Sequence, residues 1–116
     1  MIQQLRIYEI FERNKAAFHA RFEHHAMRIM LRYGFDIVAM WESSLPEGPR
    51  FVYVLNWPDV EAKENAWRRF LADEEWKEIK RVTSAEHGDL VGEIEDHLLA
   101  PTRYAPATAV RGAPSP

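Results

Sequence analysis

His25 lies in a segment, Lys15 to Tyr33, where Phe18, Phe22, Ala26, Ile29 and Tyr33 recur at spacings of three and four. That spacing is the apolar stripe of an amphipathic helix, and His25 falls on it. A half-buried imidazole is well suited to take or give a proton near neutral pH. The alternative is a core histidine satisfied by a carbonyl or a carboxylate. His24 points to another helix face, and His19 and His97 are single. No pair has the spacing of a zinc or facial-triad site, so neither a metal nor a cofactor is expected.

Arg6 and Tyr8 alternate with Leu5 and Ile7 in a segment rich in β-branched and aromatic residues. On a strand they share one face. Together they could hold a carboxylate or enolate oxygen, the guanidinium through a charge-assisted bond and the phenol as donor. Arg6 could equally pair with Glu42, Glu93 or Glu95. Trp41, Trp57, Trp67 and Trp76, with Tyr53, are a rich aromatic set for a chain of 116 residues. Trp41, Tyr53 and Trp57 are read here as candidate walls of an apolar ligand pocket. Their other use is core and interface. Glu95 and His97 share a strand face as a possible acid–base couple or an edge pair.

Composition narrows the classes. The chain has no cysteine, which removes disulfides, thiolate zinc sites and cysteine nucleophiles. A net charge of -3 argues against a nucleic-acid surface. No apolar run approaches the roughly 20 residues of a membrane span. The N-terminal residues lack the pattern of a signal peptide, so a cytoplasmic protein is expected. There is no glycine-rich phosphate loop, no Gly-x-Ser-x-Gly elbow and no His-Glu-x-x-His.

The elements that must position these residues follow from pattern and punctuation. Gln4 to Phe11 reads as a strand, and Asn14 as an N-cap for the helix Lys15 to Tyr33. Gly34 stops that helix. Phe35 to Glu42 and Phe51 to Trp57 read as strands of a hairpin, with Ser43 to Pro49 as the turn. Pro58 ends the third strand and Asp59 caps a second helix. Asp73 caps a shorter piece, and Leu90 to Leu99 is the fourth strand. The order β-α-β-β-α-β predicts an α+β, ferredoxin-like fold: a four-stranded antiparallel sheet with helices on one face. Residues 1–100 form the domain. Residues 101–116, with four of the seven prolines, read as an arm or a disordered tail.

The middle strands are apolar on both sides. Phe35, Ile37, Ala39 and Trp41 alternate with Val38 and Met40; Phe51, Tyr53, Leu55 and Trp57 alternate with Val52 and Val54. Helices on one face leave the other bare, which monomers rarely tolerate. A homodimer through that open sheet face is the expected remedy.

The ordered set of segments resembles the NIPSNAP family of dimeric α+β-barrel proteins. The segments are Leu5-Arg6-Ile7-Tyr8, Phe22 through His25 to Tyr33-Gly34-Phe35, and Val38 through Trp41-Glu42-Ser43. Leu55-Asn56-Trp57, Ala72-Asp73-Glu74-Glu75-Trp76 and Ile94-Glu95-Asp96 ahead of Pro101-Thr102 complete it. The resemblance implies the fold and the dimer, and no settled reaction. Two functions follow as expectations. One is a binder of a small, largely apolar organic molecule with cofactor-free acid–base chemistry at His25. The other is a non-catalytic dimeric binding or scaffold module.

Overall fold

The computed structural model describes residues 1–106. The strands are β1 (Ile2–Ile10), β2 (Asp36–Leu45), β3 (Gly48–Trp57) and β4 (Val91–Leu99). The helices are α1 over residues 15–32, α2 (Val60–Leu71) and α3 (Glu74–His87). The strands form one antiparallel sheet in the order β2-β3-β1-β4, the ferredoxin-like arrangement. Of the expected arm, residues 101–106 form neither helix nor strand, and residues 107–116 lie outside the described residues.

Caps set the helix starts. Asp59 accepts from the Ala62 N–H at 2.8 Å and Asp73 from the Trp76 N–H at 2.8 Å. Each takes up a donor that the first helical turn leaves without an intrahelical partner. Gly34, at φ 85°, ends α1 in the left-handed region that glycine enters without strain. Asn14 does not cap α1 as expected. Its amide donates instead to the carbonyls of His87 (3.0 Å) and Asp89 (2.8 Å), tying the start of α1 to the end of α3.

Two departures from regular periodicity decide where side chains point. The first is in α1, where Phe22–Ala26 is π-helical between α-helical Lys15–Arg21 and Met27–Arg32. The wider turn keeps residues four apart on one stripe. Phe18, Phe22, Ala26 and Met30 are therefore all buried. His25, expected to face the sheet, is carried to the edge of that stripe and is only half-buried.

The second departure is in β2. Its register against β3 slips by one between Ile37, opposite Leu55, and Ala39, opposite Val54. A one-residue slip sends the following side chains to the other face. Phe35 and Ile37 stay with the helices, while Ala39 and Trp41 join Val54 and Val52 on the open side. The expected single face Phe35-Ile37-Ala39-Trp41 is thus split. The hairpin is also tighter than expected. Pairing runs on to Leu45 opposite Gly48, leaving residues 46 and 47 as the turn.

On the helix side, Tyr8, Ile10, Phe51, Tyr53, Leu55 and Trp57 pack against Phe18, Phe22, Ile29, Phe70 and Trp76. Aromatic edges interlock here, with the Phe22 and Phe51 ring centres 4.7 Å apart. On the open side, Leu5, Ile7, Ala39, Val52 and Val54 are half-exposed, and Trp41 is 54% exposed.

Candidate functional site

Between the sheet and the three helices lies a cavity of about 230 Å³. β1 supplies Arg6 and Tyr8; α1 supplies Arg21, Phe22 and Ala26; α2 supplies Trp67 and Phe70; α3 supplies Trp76 and Lys80; β4 adds Val91 and Ile94. No aspartate or glutamate lines it.

On its sheet side Tyr8 lines the cavity, and its hydroxyl is paired with that of Tyr53 behind it. Arg6 and Tyr53 are directly opposite across β1 and β3, so they share the helix-facing side with Tyr8. The Tyr8 and Tyr53 hydroxyls are 2.5 Å apart, and Arg6 Nη2 donates to the Tyr8 hydroxyl at 3.1 Å. Tyr53 is fully buried, and burial first, then the neighbouring Tyr8, pushes its phenol well above the ordinary range. It therefore stays neutral. When Tyr53 donates to Tyr8, the Tyr8 oxygen accepts twice, and its own proton is free for an oxygen in the cavity.

Arg6 is held from behind. The register places it opposite Asp96, which it meets at 2.8 Å, rather than beside Glu42, Glu93 or Glu95. Its guanidinium stacks on the Trp67 ring at 4.3 Å. The buried Arg6 Nε has no hydrogen-bond partner. Gln4, 1% exposed, organises the same corner. Its Oε1 accepts from Trp57 Nε1 at 2.9 Å and Trp67 Nε1 at 2.8 Å. Its Nε2 donates to Asp96 at 3.0 Å.

Arg6 and Tyr8 thus line the cavity, and Tyr53 backs Tyr8. Trp57 lies in the core as a donor to Gln4. Trp41 lies on the open sheet face, and His25 lies outside the lining. His25 Nδ1 accepts from Arg28 at 3.0 Å, and Arg28 reaches Glu75 at 2.7 Å. The imidazole belongs to a polar strap between α1 and α3. His97 and Glu95 meet at 3.2 Å, both largely exposed.

Gln4, Arg21 and Lys80 join the site although the sequence pattern does not single them out. Gln4 shares the parity of Arg6 and Tyr8, which was the available signal. Arg21 and Lys80 carried none, since their place depends on how the helices pack. A second imidazole, His19, meets Glu42 at 2.7 Å, and Lys15 meets the same carboxylate at 3.3 Å. His19 borders an open groove shared with Met27 and Met40. Among the described residues no cluster of three or more His, Cys, Asp or Glu could hold a metal ion, and no helix is long and apolar enough to cross a membrane.

Residues 3–106 match the model of the NIPSNAP family. No curated protein matches the chain. Among solved structures, the protein Atu4242 from Agrobacterium tumefaciens is 18% identical, covering 91% of this chain and 98% of that one at a TM-score of 0.77. An uncharacterized NIPSNAP-like domain protein from Burkholderia xenovorans is 20% identical, with 90% and 88% covered and a TM-score of 0.76. SnoaB from Streptomyces nogalater, a cofactor-independent oxygenase, is 18% identical, with 90% and 96% covered and a TM-score of 0.54. Identities this low show a shared fold.

Proposed function

The chain belongs to the NIPSNAP family, and from that premise we propose that it is a homodimeric binder of a small, largely apolar organic molecule, seated in the helix-side cavity. The observation that carries this reading is the Tyr8 hydroxyl, held by Arg6 and Tyr53 at the base of a pocket walled by aromatic rings and edged by Arg21 and Lys80. Tyr8 is oriented by Arg6 and Tyr53, with Trp67, Phe70 and Trp76 as walls. Ligand sites are typically apolar hollows with a few placed polar groups. At about 230 Å³ the cavity is below the usual range of roughly 300–1,000 Å³, which suits a compact ligand.

In this reading Tyr8 donates its proton in a hydrogen bond to a carbonyl or enolate oxygen, and Arg6 keeps the phenol in place. In this reading His25 takes no part, because it does not line the cavity and its Nδ1 accepts from Arg28. Any proton transfer would run through Tyr8 rather than an imidazole. SnoaB, on the same fold, works without a cofactor, so cofactor-free chemistry is compatible with this architecture by analogy.

The dimer forms through the open sheet face. Leu5, Ile7, Ala39, Trp41, Val52 and Val54 make a contiguous apolar surface there. A second copy of the same sheet covers it under two-fold symmetry.

The test is a thermal-shift screen of small aromatic and aliphatic carbonyl compounds and acids, since a ligand of the native state raises its melting point. For the compounds that bind, Tyr8→Phe should weaken affinity about tenfold, the loss of one good hydrogen bond. His25→Ala should leave affinity unchanged. Weakened binding in His25→Ala alone would transfer the role to the imidazole.

A further inference from the structure

Two of the cavity's cations lack counter-charges. Arg21 on α1 and Lys80 on α3 both lie against the Trp76 ring, at 5.5 Å and 5.7 Å from its centre. Arg21 has one hydrogen bond to a side chain, to the Thr83 hydroxyl at 3.3 Å. Among the described residues neither Arg21 nor Lys80 forms an ion pair. Arg6 differs, because Asp96 already neutralises it. The neighbouring surface cations on the same two helices differ as well: Arg28 and Arg32 hold Glu75, Lys77 holds Glu74 and Arg81 holds Glu78. Acids are thus plentiful on α3, yet none reaches the cavity pair.

We infer that the cavity's ligand is an organic anion, a compact apolar carboxylic acid whose carboxylate sits between Arg21 and Lys80 while its body lies on Trp76 and Trp67. This deepens the proposed function and rests on it. Two half-buried like charges with no acid between them are costly unless something supplies the opposite charge. Burial depresses Arg21, and burial, then the Arg21 and Lys77 charges, depress Lys80. A bound carboxylate relieves both by charge-assisted hydrogen bonding. The division of labour follows: Tyr8 at the sheet end meets a neutral oxygen, and the helix end meets the charge. The chain's net charge of -3 makes a local, acid-free pair of cations the more pointed.

The experiment is calorimetric titration of the full chain with phenyl-substituted carboxylates of one to four methylenes and with the matching neutral amides. At least one carboxylate should bind ten or more times tighter than its amide. Arg21→Met and Lys80→Met should each erode that ratio several-fold, and Lys80→Arg should keep it. Melting curves of the variants show that each remains folded. Equal affinity for acid and amide would overturn the anion while leaving the pocket intact. A preference untouched by both methionine variants would place the carboxylate elsewhere and overturn the site. Absence of binding by either series would overturn both the anion and the pocket.

Discussion

The Tyr8 and Tyr53 hydroxyls face each other at 2.5 Å beneath the cavity, from directly neighbouring strands. Removing the buried member leaves Tyr8 with Arg6 alone as hydroxyl partner. Tyr53→Phe should cost about 1–2 kcal/mol, one buried hydrogen bond. Thermal denaturation should register it as a fall of roughly 4–8 °C per kcal/mol. An unchanged melting point would mean that the pair contributes nothing to the fold.

Gln4 satisfies two indoles at once. Gln4→Leu keeps the volume and removes the acceptor shared by Trp57 and Trp67. Two N–H groups then lose their partner, and Asp96 loses a donor. The expected destabilisation is about 2–4 kcal/mol by urea unfolding. A cost below about 0.5 kcal/mol would show that water replaces the glutamine, since surface changes lie in that range.

The strap between α1 and α3 makes stability fall in acid. Arg28 first and Arg32 next hold the Glu75 carboxyl at about 2. Asp73 is also depressed, by the Tyr33 hydroxyl at 2.6 Å, the Trp76 N–H and Arg32. A carboxyl lowered in the folded state stabilises fully above its unfolded value, about 4.3 for glutamate. That contribution is lost as pH falls from there toward 2. Wild type and Glu75→Gln should therefore differ in urea midpoint at pH 5–7 and converge near pH 2. Because Glu75 is solvent-accessible, 1 M salt should shrink the difference. A gap that widened in acid would reverse the sign of this account.

The open sheet face predicts the mass in solution. Light scattering should give twice the 13.6 kDa of one chain. Trp41→Glu places a charge beside Val52 on that face and should shift the population toward single chains without changing the circular dichroism of the helices. Single chains in the wild type at micromolar concentration would remove the dimer.

The fold was largely legible because its signals are local. Asp59 and Asp73 cap their helices with their own side chains, and the pairing of β1 with β3 runs without a slip from Ile2 opposite Trp57 to Glu9 opposite Arg50. What escaped was set by packing. Trp41 changes face because β2 slips by one residue, and no residue in Val38-Ala39 announces a slip. His25 leaves the stripe because a π-helical turn widens α1, again without a glycine or proline to mark it. Asn14, a good cap by type, spends its amide on α3 instead. The site was half legible. Arg6 and Tyr8 follow from strand parity, while Arg21 and Lys80 converge on Trp76 only once two helices are packed side by side.

The helix-side cavity is the place proposed for the ligand. A crystal structure of the chain soaked with a binding carboxylate tests it directly. The expected density lies between Tyr8 and Trp76, with the carboxylate within hydrogen-bond distance of Arg21 and Lys80 and the ring on Trp76 and Trp67. Density confined to the open sheet face or the His19 groove, with the cavity filled by collapsed side chains, would contradict it.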